Sequence, residues 1–400
     1  MRRVRWLLAA AIGVGLAART LAGDSPAAAH WPQFRGPHGG GVAPDGQKLP
    51  TQFGPGKSML WRTELPPGAS SPCIWGDRIF LTAYDAAARK LETLCLDRRD
   101  GHILWRQAAP AQKVEKVHKI SNPAASTPAA DGDGVYVNFG SFGLLCYDHD
   151  GKERWKLPLA APRTMQGTAT SPILAGDLVI LNRDYQPGPC LLAVHRGTGQ
   201  TAWKHDYPFP NLGFPAGRES YSTPLVIQDG GTPLVVLHNN KKLAAHSLAD
   251  GKEVWWVSLT SEACTSPVAA NGRVYVATWV HAGEPENIVE LPTFDELLKK
   301  YDRNGDGKLG KDEIPADLAF LRRTESGDIP GAALTVQLFF DGLDRNKDGA
   351  IDRGEWALSQ LMFKMMPSEH GLLAVRPGGK GNVTPTHVAW KEKRGLPEVP

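Results

Sequence analysis

The stretches Asp100–Trp105 (DGHILW), Asp150–Trp155 (DGKERW), Thr198–Trp203 (TGQTAW) and Asp250–Trp255 (DGKEVW) are four copies of one turn. In each, a glycine stands four residues before a tryptophan, and the copies recur about every 50 residues. Glycine supplies the positive-φ corner of a tight hairpin, and the tryptophan on the strand that follows offers a large apolar wedge for a neighbouring unit. A repeat of this period defines a structural unit before any single motif is weighed.

Working outward, each turn is preceded by an apolar run: LETLCLD, GLLCYD, CLLAVH and KLAAHS. Further pairs of apolar strands open on the dipeptides Ser71-Pro72, Thr127-Pro128, Ser171-Pro172, Thr223-Pro224 and Ser266-Pro267. Behind them come DRIFLTAY, DGVYVNFG, GDLVILN, TPLVVLHN and GRVYVATW. Four short β-branched strands per repeat, joined by glycine hairpins, describe one blade of an all-β propeller, and the spacing of Pro and Gly excludes a helical repeat. Trp61, in KSMLWRTELP, reads as an outer strand arriving without its own blade.

Over roughly Trp31 to Val280 and again from Gly371 to Pro400, this pattern resembles the PQQ-like (pyrroloquinoline-quinone-type) β-propeller repeat family, whose repeats read approximately AlDxxTGxxxW. WPQFRGPHGGG, at Trp31–Gly41, is similar to the opening of exported bacterial members. The family aspartate survives as Asp97 and Asp148, whereas His195 and His246 stand nearby in the third and fourth repeats and read as turn residues. The resemblance implies a propeller and, because the family spans both, either a quinone dehydrogenase or a cofactor-free scaffold. Dehydrogenases of the family stack the quinone on a vicinal Cys-Cys disulfide and hold a calcium with it. No Cys-Cys pair is present, so PQQ is not expected.

Two stretches depart from the repeat: DRNGDGKLGKDE at 302–313 and DRNKDGAIDRGE at 344–355. Calcium takes six to eight hard oxygens, and a twelve-residue loop delivers them from positions 1, 3, 5, 7, 9 and 12 with glycine at 6. The first loop offers Asp302, Asn304, Asp306, the Lys308 carbonyl and Glu313 around Gly307, with Gly310 leaving position 9 to a water. The second offers Asp344, Asn346, Asp348, the Ala350 carbonyl, Asp352 and Glu355 around Gly349. Phe294, Leu297, Leu298 and Tyr301 ahead of the first, and Val336, Phe339, Phe340 and Leu343 ahead of the second, have helical i, i+3, i+4, i+7 spacing. From about Leu291 to Met366 the chain resembles a paired EF-hand module, with Leu309 and Ile351 placed to pair the loops.

VYVATWV ends at Val280 and GLLAVRP begins at Gly371, so residues 281–370 form an insertion within the fifth blade. Trp390 would complete that blade, and GLPEVP would begin a sixth. Leu358, Leu361, Met362 and Met365, on the helix after Glu355, are expected to pack inside the pair, a sensor-like groove being the other use.

The 400 residues are 42% hydrophobic and 22% charged, with a net charge of +3 from well-mixed signs, which leaves no basic face for nucleic acid. At the N-terminus a charged start, an apolar run from Trp6 to about Ala18, and the small residues Thr20 and Ala22 read as a signal peptide over residues 1–22, with cleavage near Ala29 as the alternative. The run is too short to span a bilayer comfortably, so no integral span is expected in the mature, periplasmic or extracellular chain. Cys73, Cys95, Cys146, Cys190 and Cys264 are single and odd in number, and read as buried thiols.

GxSxG, HExxH and GxxxxGK[ST] motifs are absent, and no catalytic residue is assigned. Asn122, Gln166, Glu219 and Glu262 lie ahead of the Ser/Thr-Pro dipeptides on loops that can meet near the propeller axis. Two functions stand. One is an exported propeller that binds or assembles a protein or other extracellular ligand without catalysis, with two calcium ions in the insertion. The other is a quinoprotein oxidoreductase, or another enzyme working at the axial mouth.

Overall fold

A computed structural model of the chain describes residues 30–43, 45, 50–119, 121–164, 166–207, 219–239, 241–259, 261, 263–278, 289–322, 333–364 and 371–392. The signal-peptide assignment, Glu262, Val280, Met365 and the expected sixth-blade start lie outside these residues.

Five antiparallel four-stranded units follow one another. Blade one is β1 (Cys73–Trp75), β2 (Arg78–Asp85), β3 (Lys90–Asp97) and β4 (Ile103–Ala108); blade two is β5 (Ala129–Ala130), β6 (Val135–Phe139), β7 (Gly143–Tyr147) and β8 (Glu153–Pro158). Blade three is β9 (Ile173–Ala175), β10 (Leu178–Arg183), β11 (Cys190–His195) and β12 (Thr201–Asp206). Blade four is β13 (Leu225–Asp229), β14 (Thr232–Asn239), β15 (Lys242–Ser247) and β16 (Glu253–Ser258). The fifth begins with β17 (Val268–Ala270) and β18 (Arg273–Thr278).

The chain then leaves the blade. It forms α1 (Phe294–Tyr301), β19 (Leu309–Gly310), the β20 (Ala319–Arg322) and β21 (Ala333–Thr335) hairpin, α2 (Val336–Leu343), β22 (Ala350–Ile351) and α3 (Arg353–Lys364). It returns as β23 (Gly371–Val375), β24 (Gly381–Asn382), the short α4 (Thr384–His387) and β25 (Val388–Glu392). Thr278 pairs with Gly371 across this excursion, and β25 carries Trp390 to the outer edge, as the repeat pattern requires.

Neighbouring blades lock through the repeated turn. The indole N–H of Trp61 donates to Arg98 O at 3.0 Å, Trp105 to His149 O at 2.9 Å, Trp155 to Arg196 O at 2.7 Å and Trp203 to Leu248 O at 2.9 Å. Each ring lies against the turn glycine of the next blade: Gly101, Gly151, Gly199 and Gly251, with φ between 71° and 87°. Trp61 makes this contact without being in a strand; among the described residues nothing flanks it for ladder pairing.

Blade five has no such glycine turn. Residues 376–387 instead swing over blade four, where β24 pairs with β16 and the Val383 N–H donates to Trp256 O. Trp255 is thereby fully buried, and its indole N–H has no acceptor among the described residues.

The Ser/Thr-Pro dipeptides do more than open strands. The backbone N–H of Ser71 donates to the Thr127 hydroxyl at 2.9 Å, Thr127 to Ser171 at 3.0 Å, Ser171 to Thr223 at 3.1 Å and Thr223 to Ser266 at 2.9 Å. One hydroxyl per junction thus satisfies a backbone donor that burial would otherwise strand. Beneath this relay, the second strand of each of the first four blades carries a polar side chain in its second half. Thr82 reaches Ala124 O and Ser126 O, Asn138 reaches Thr170 O, Asn182 reaches Ser222 O, and the ring of His238 faces the Thr265 hydroxyl.

All five cysteines are free thiols, and four are fully buried. Burial pushes Cys95 up to about 11 and Cys146 up to about 12, which leaves them protonated and unreactive.

Candidate metal centre

Loop 344–355 lies between α2 and α3, whereas loop 302–313 follows α1 and runs on into turns and the β20–β21 hairpin rather than into a helix; the starts of α1 and α2 are fixed locally. Thr293 caps α1 in a reciprocal capping box with Glu296, and the Thr335 hydroxyl accepts from Leu338 N at the start of α2. Phe294, Leu297, Phe320, Val336, Phe340, Leu343 and Trp356 bury one another in a core of their own. Leu309 and Ile351 pair across β19 and β22 inside that core, as their loop positions suggested. Trp356 ties α3 to the segment before α1 by donating to Pro292 O at 3.2 Å.

Within loop 302–313, Asp302 accepts from Gly305 N at 2.7 Å and Gly307 N at 3.0 Å; Asn304 accepts from Asp306 N and Asp306 from Lys308 N, both at 2.8 Å. Glu313 folds back across the loop, accepting from Arg303 N at 2.9 Å and Gly310 N at 2.8 Å. Loop 344–355 repeats the arrangement. Asp344 accepts from Gly349 N at 2.9 Å, Asn346 from Asp348 N at 2.8 Å, Asp348 from Ala350 N at 3.1 Å, and Glu355 from Arg345 N at 2.7 Å and Asp352 N at 3.0 Å. The Asp352 carboxylate accepts from Glu355 N at 2.8 Å. Gly307 and Gly349 take φ of 79° and 89°, the turn that position 6 demands.

Glu313, Glu355 and Asp344 are 7%, 8% and 6% exposed, and no Lys, Arg or His side chain pairs with them among the described residues. A carboxylate buried beside only neutral donors is costly. Among the described residues the carboxylates of neither loop bring three oxygens within 4.8 Å of one another. Lys308 joins the loops by pairing with Asp348, and this hydrogen bond is the main cause that holds the pKa of that carboxyl below the ordinary carboxylate range.

On α3, Trp356 and Ser359 face inward, while Leu361 and Met362 are exposed and Leu358 is half-buried. The expectation that Leu361 and Met362 pack inside the pair is therefore corrected: the helix presents the Trp356 indole, on a different face from Leu361 and Met362, to the core.

The axial residues are distributed differently from the expectation. Asn122 caps its own turn by accepting from Ala124 N at 2.8 Å. Gln166 and Glu219 do converge, through Tyr221, whose hydroxyl donates to Glu219 and lies beside the Gln166 backbone. Glu115 was not singled out by the sequence. It accepts from the Thr168 hydroxyl at 2.6 Å, and burial pushes its carboxyl above the usual range.

His195 is exposed at the end of β11, but His246 is not a solvated turn residue. It is fully buried, donating from Nδ1 to Gly251 O at 3.0 Å, because the blade-four turn folds over it. Asp97, Asp100 and His102 form a tight polar group, but the Arg99 guanidinium already grips both oxygens of Asp97, at 3.0 and 2.6 Å.

Blades that lock by tryptophan and glycine, with two helix-led twelve-residue loops set into one of them, define a repeat propeller carrying an insertion. The family described as outer membrane protein assembly factor BamB matches residues 54–219 and 188–297, more than half of the chain, and the chain belongs to this PQQ-repeat family. It is similar to the crystal structure of BamB from Moraxella catarrhalis (TM-score 0.39, 15% identity, covering 55% of this chain and 58% of that one). It is also similar to the quinohemoprotein alcohol dehydrogenases of Pseudomonas putida HK5 (0.37, 14%, 56% and 39%) and Comamonas testosteroni (0.37, 14%, 53% and 41%). The chain thus spans less than two thirds of each of these solved structures. No curated protein matches it. Among the described residues no helix is long and apolar enough to cross a membrane.

Proposed function

We propose that the chain is an exported, non-catalytic propeller scaffold for protein assembly or binding, and that its insertion is an EF-hand pair holding two calcium ions. The observation that carries the calcium assignment is the buried carboxylate set of Glu313, Glu355 and Asp344, which has backbone donors but no side-chain cation. A hard divalent cation satisfies such oxygens.

In this assignment Asp302, Asn304, Asp306, the Lys308 carbonyl and Glu313 hold one ion. Asp344, Asn346, Asp348, the Ala350 carbonyl, Asp352 and Glu355 hold the other. Extracellular calcium keeps such sites filled at a Kd on the order of 10⁻⁴ to 10⁻³ M, so the ions stiffen the insertion rather than signal. The scaffold role is supported by a family described as an assembly factor and by a repeat whose tryptophans and glycines are consumed in joining blades.

Calorimetric calcium titration with and without PQQ tests both parts. Two sites in both runs, one lost in Glu313→Gln and the other in Glu355→Gln, is the expected result. Absence of calcium binding would overturn the metal assignment, and a third site present only with the quinone would replace the scaffold by a redox enzyme.

A further inference from the structure

We propose that residues 30–41 are a separable peptide ligand of the propeller, and that the inner edges of the blades form a peptide-binding slot which this strap occupies in cis. The first strand of each blade lies at the inner edge, next to the first strand of a neighbour, where it leaves backbone groups unpaired.

The strap answers those groups blade by blade. Trp31 exchanges two backbone hydrogen bonds with Ile74 of β1, each 2.8 Å; Pro32 O accepts from Ala130 N of β5 at 2.8 Å; and the Gln33 side chain accepts from Leu174 N of β9 at 3.3 Å. Gly39 lies against Leu225 of β13, and Arg35 donates to Ser266 O, ahead of β17, at 3.1 Å. Only Trp31 bridges as an added strand would; the remaining contacts are single hydrogen bonds to successive blades, with the side chains of Gln33 and Arg35 giving selectivity.

Two observations set the strap apart from the blades. None of its residues belongs to the six hydrophobic clusters, which it touches only from outside, where Gly39 meets Leu225 and His30 stacks on Trp75 with ring centroids 4.1 Å apart. It also closes on itself. Gly36 N donates to Gln33 O and Gly41 N to Arg35 O, and Gly36 sits under the Trp31 ring at φ 69°, where a Cβ would meet the indole at 2.5 Å. Arg35 and His38 also take positive φ. The slot therefore selects a short peptide that folds back on itself, with an aromatic residue, Pro, Gln and Arg in this order and a glycine turn after them.

The test uses the full chain, native and with Gly36→Val, and a labelled peptide HWPQFRGPHGGGV. In the native chain, Arg35 should resist trypsin and the peptide should not bind. In Gly36→Val, cleavage after Arg35 should accelerate at least about tenfold, from lost hydrogen bonds and backbone strain. The blades should keep their cooperative unfolding, and the peptide should bind saturably, whereas a peptide with valine at that glycine should not.

Gln33→Ala, which leaves the strap backbone intact, should give a smaller acceleration in the same direction. Equal cleavage in native and variant chains would overturn docking. A freed strap with no peptide binding would overturn the slot, and loss of cooperative unfolding in both variants would overturn separability.

Discussion

The indole of Trp155 lies over Gly199, and a Cβ built on that glycine would sit 2.6 Å from the ring. Gly199 also holds φ 71°, costly for any L side chain. Gly199→Ala should therefore destabilise by about 2–4 kcal/mol, from a clash added to strain. Gly176→Ala, at φ 57° with nothing within 4 Å, should cost only about 1–2 kcal/mol from strain alone. Urea unfolding of the two variants separates the terms, and equal losses would remove the tryptophan from the account.

Trp155 and Trp255 hold equivalent places but differ in partner, since only Trp155 has an acceptor for its N–H. Trp155→Phe should cost about 1 kcal/mol more than Trp255→Phe, the worth of one hydrogen bond. The same denaturant series reads the difference.

Acid should weaken the propeller through two histidines. Burial pushes His238 and His246 down from the ordinary 6.5 to about 4, and each has an Nε2 with no partner among the described residues. Below the unfolded value the unfolded chain binds protons that the folded chain refuses. Stability therefore falls as pH drops from about 6.5 to about 4, by about 1.4 kcal/mol per pH unit for each histidine, and levels off below. Melting temperatures of native and His238→Gln/His246→Asn chains over this window should diverge in slope; parallel curves would exclude these two groups.

Lys308 neutralises Asp348, a proposed calcium ligand of the other loop. Lys308→Met should raise calcium affinity of the second loop by about two- to fivefold, the worth of one exposed ion pair, without touching the Lys308 carbonyl. Unchanged affinity would show that the pair does not compete with the ion.

Much of the architecture was legible because the tryptophan, the glycine and the Ser/Thr-Pro dipeptides recur in register. Each solves the same junction problem every time it appears. The hydroxyl relay was hidden inside a motif that reads only as a strand start, because a serine shows its acceptor role only when the neighbouring blade is in place. Trp255 and residues 376–387 were opaque for a related reason. That excursion covers blade four from another repeat, and local spacing carries no sign of it. The twelve-residue loops stand out in the sequence because their oxygen-bearing residues alternate within one short stretch of chain. The axial cluster was half seen: Gln166 and Glu219 meet only through Tyr221, which no spacing rule marks.

The hydroxyl relay runs one way. From Ser71 to Thr223 each backbone N–H gives to the following blade, and from Trp61 to Trp203 each indole does the same. Every unit therefore has a giving face and a receiving face that are complementary but unlike, and all the units in that run share the same two. Excising or duplicating one whole unit would leave matched faces at the scar, so copy number is free to change by recombination while the bonding at each seam stays the same.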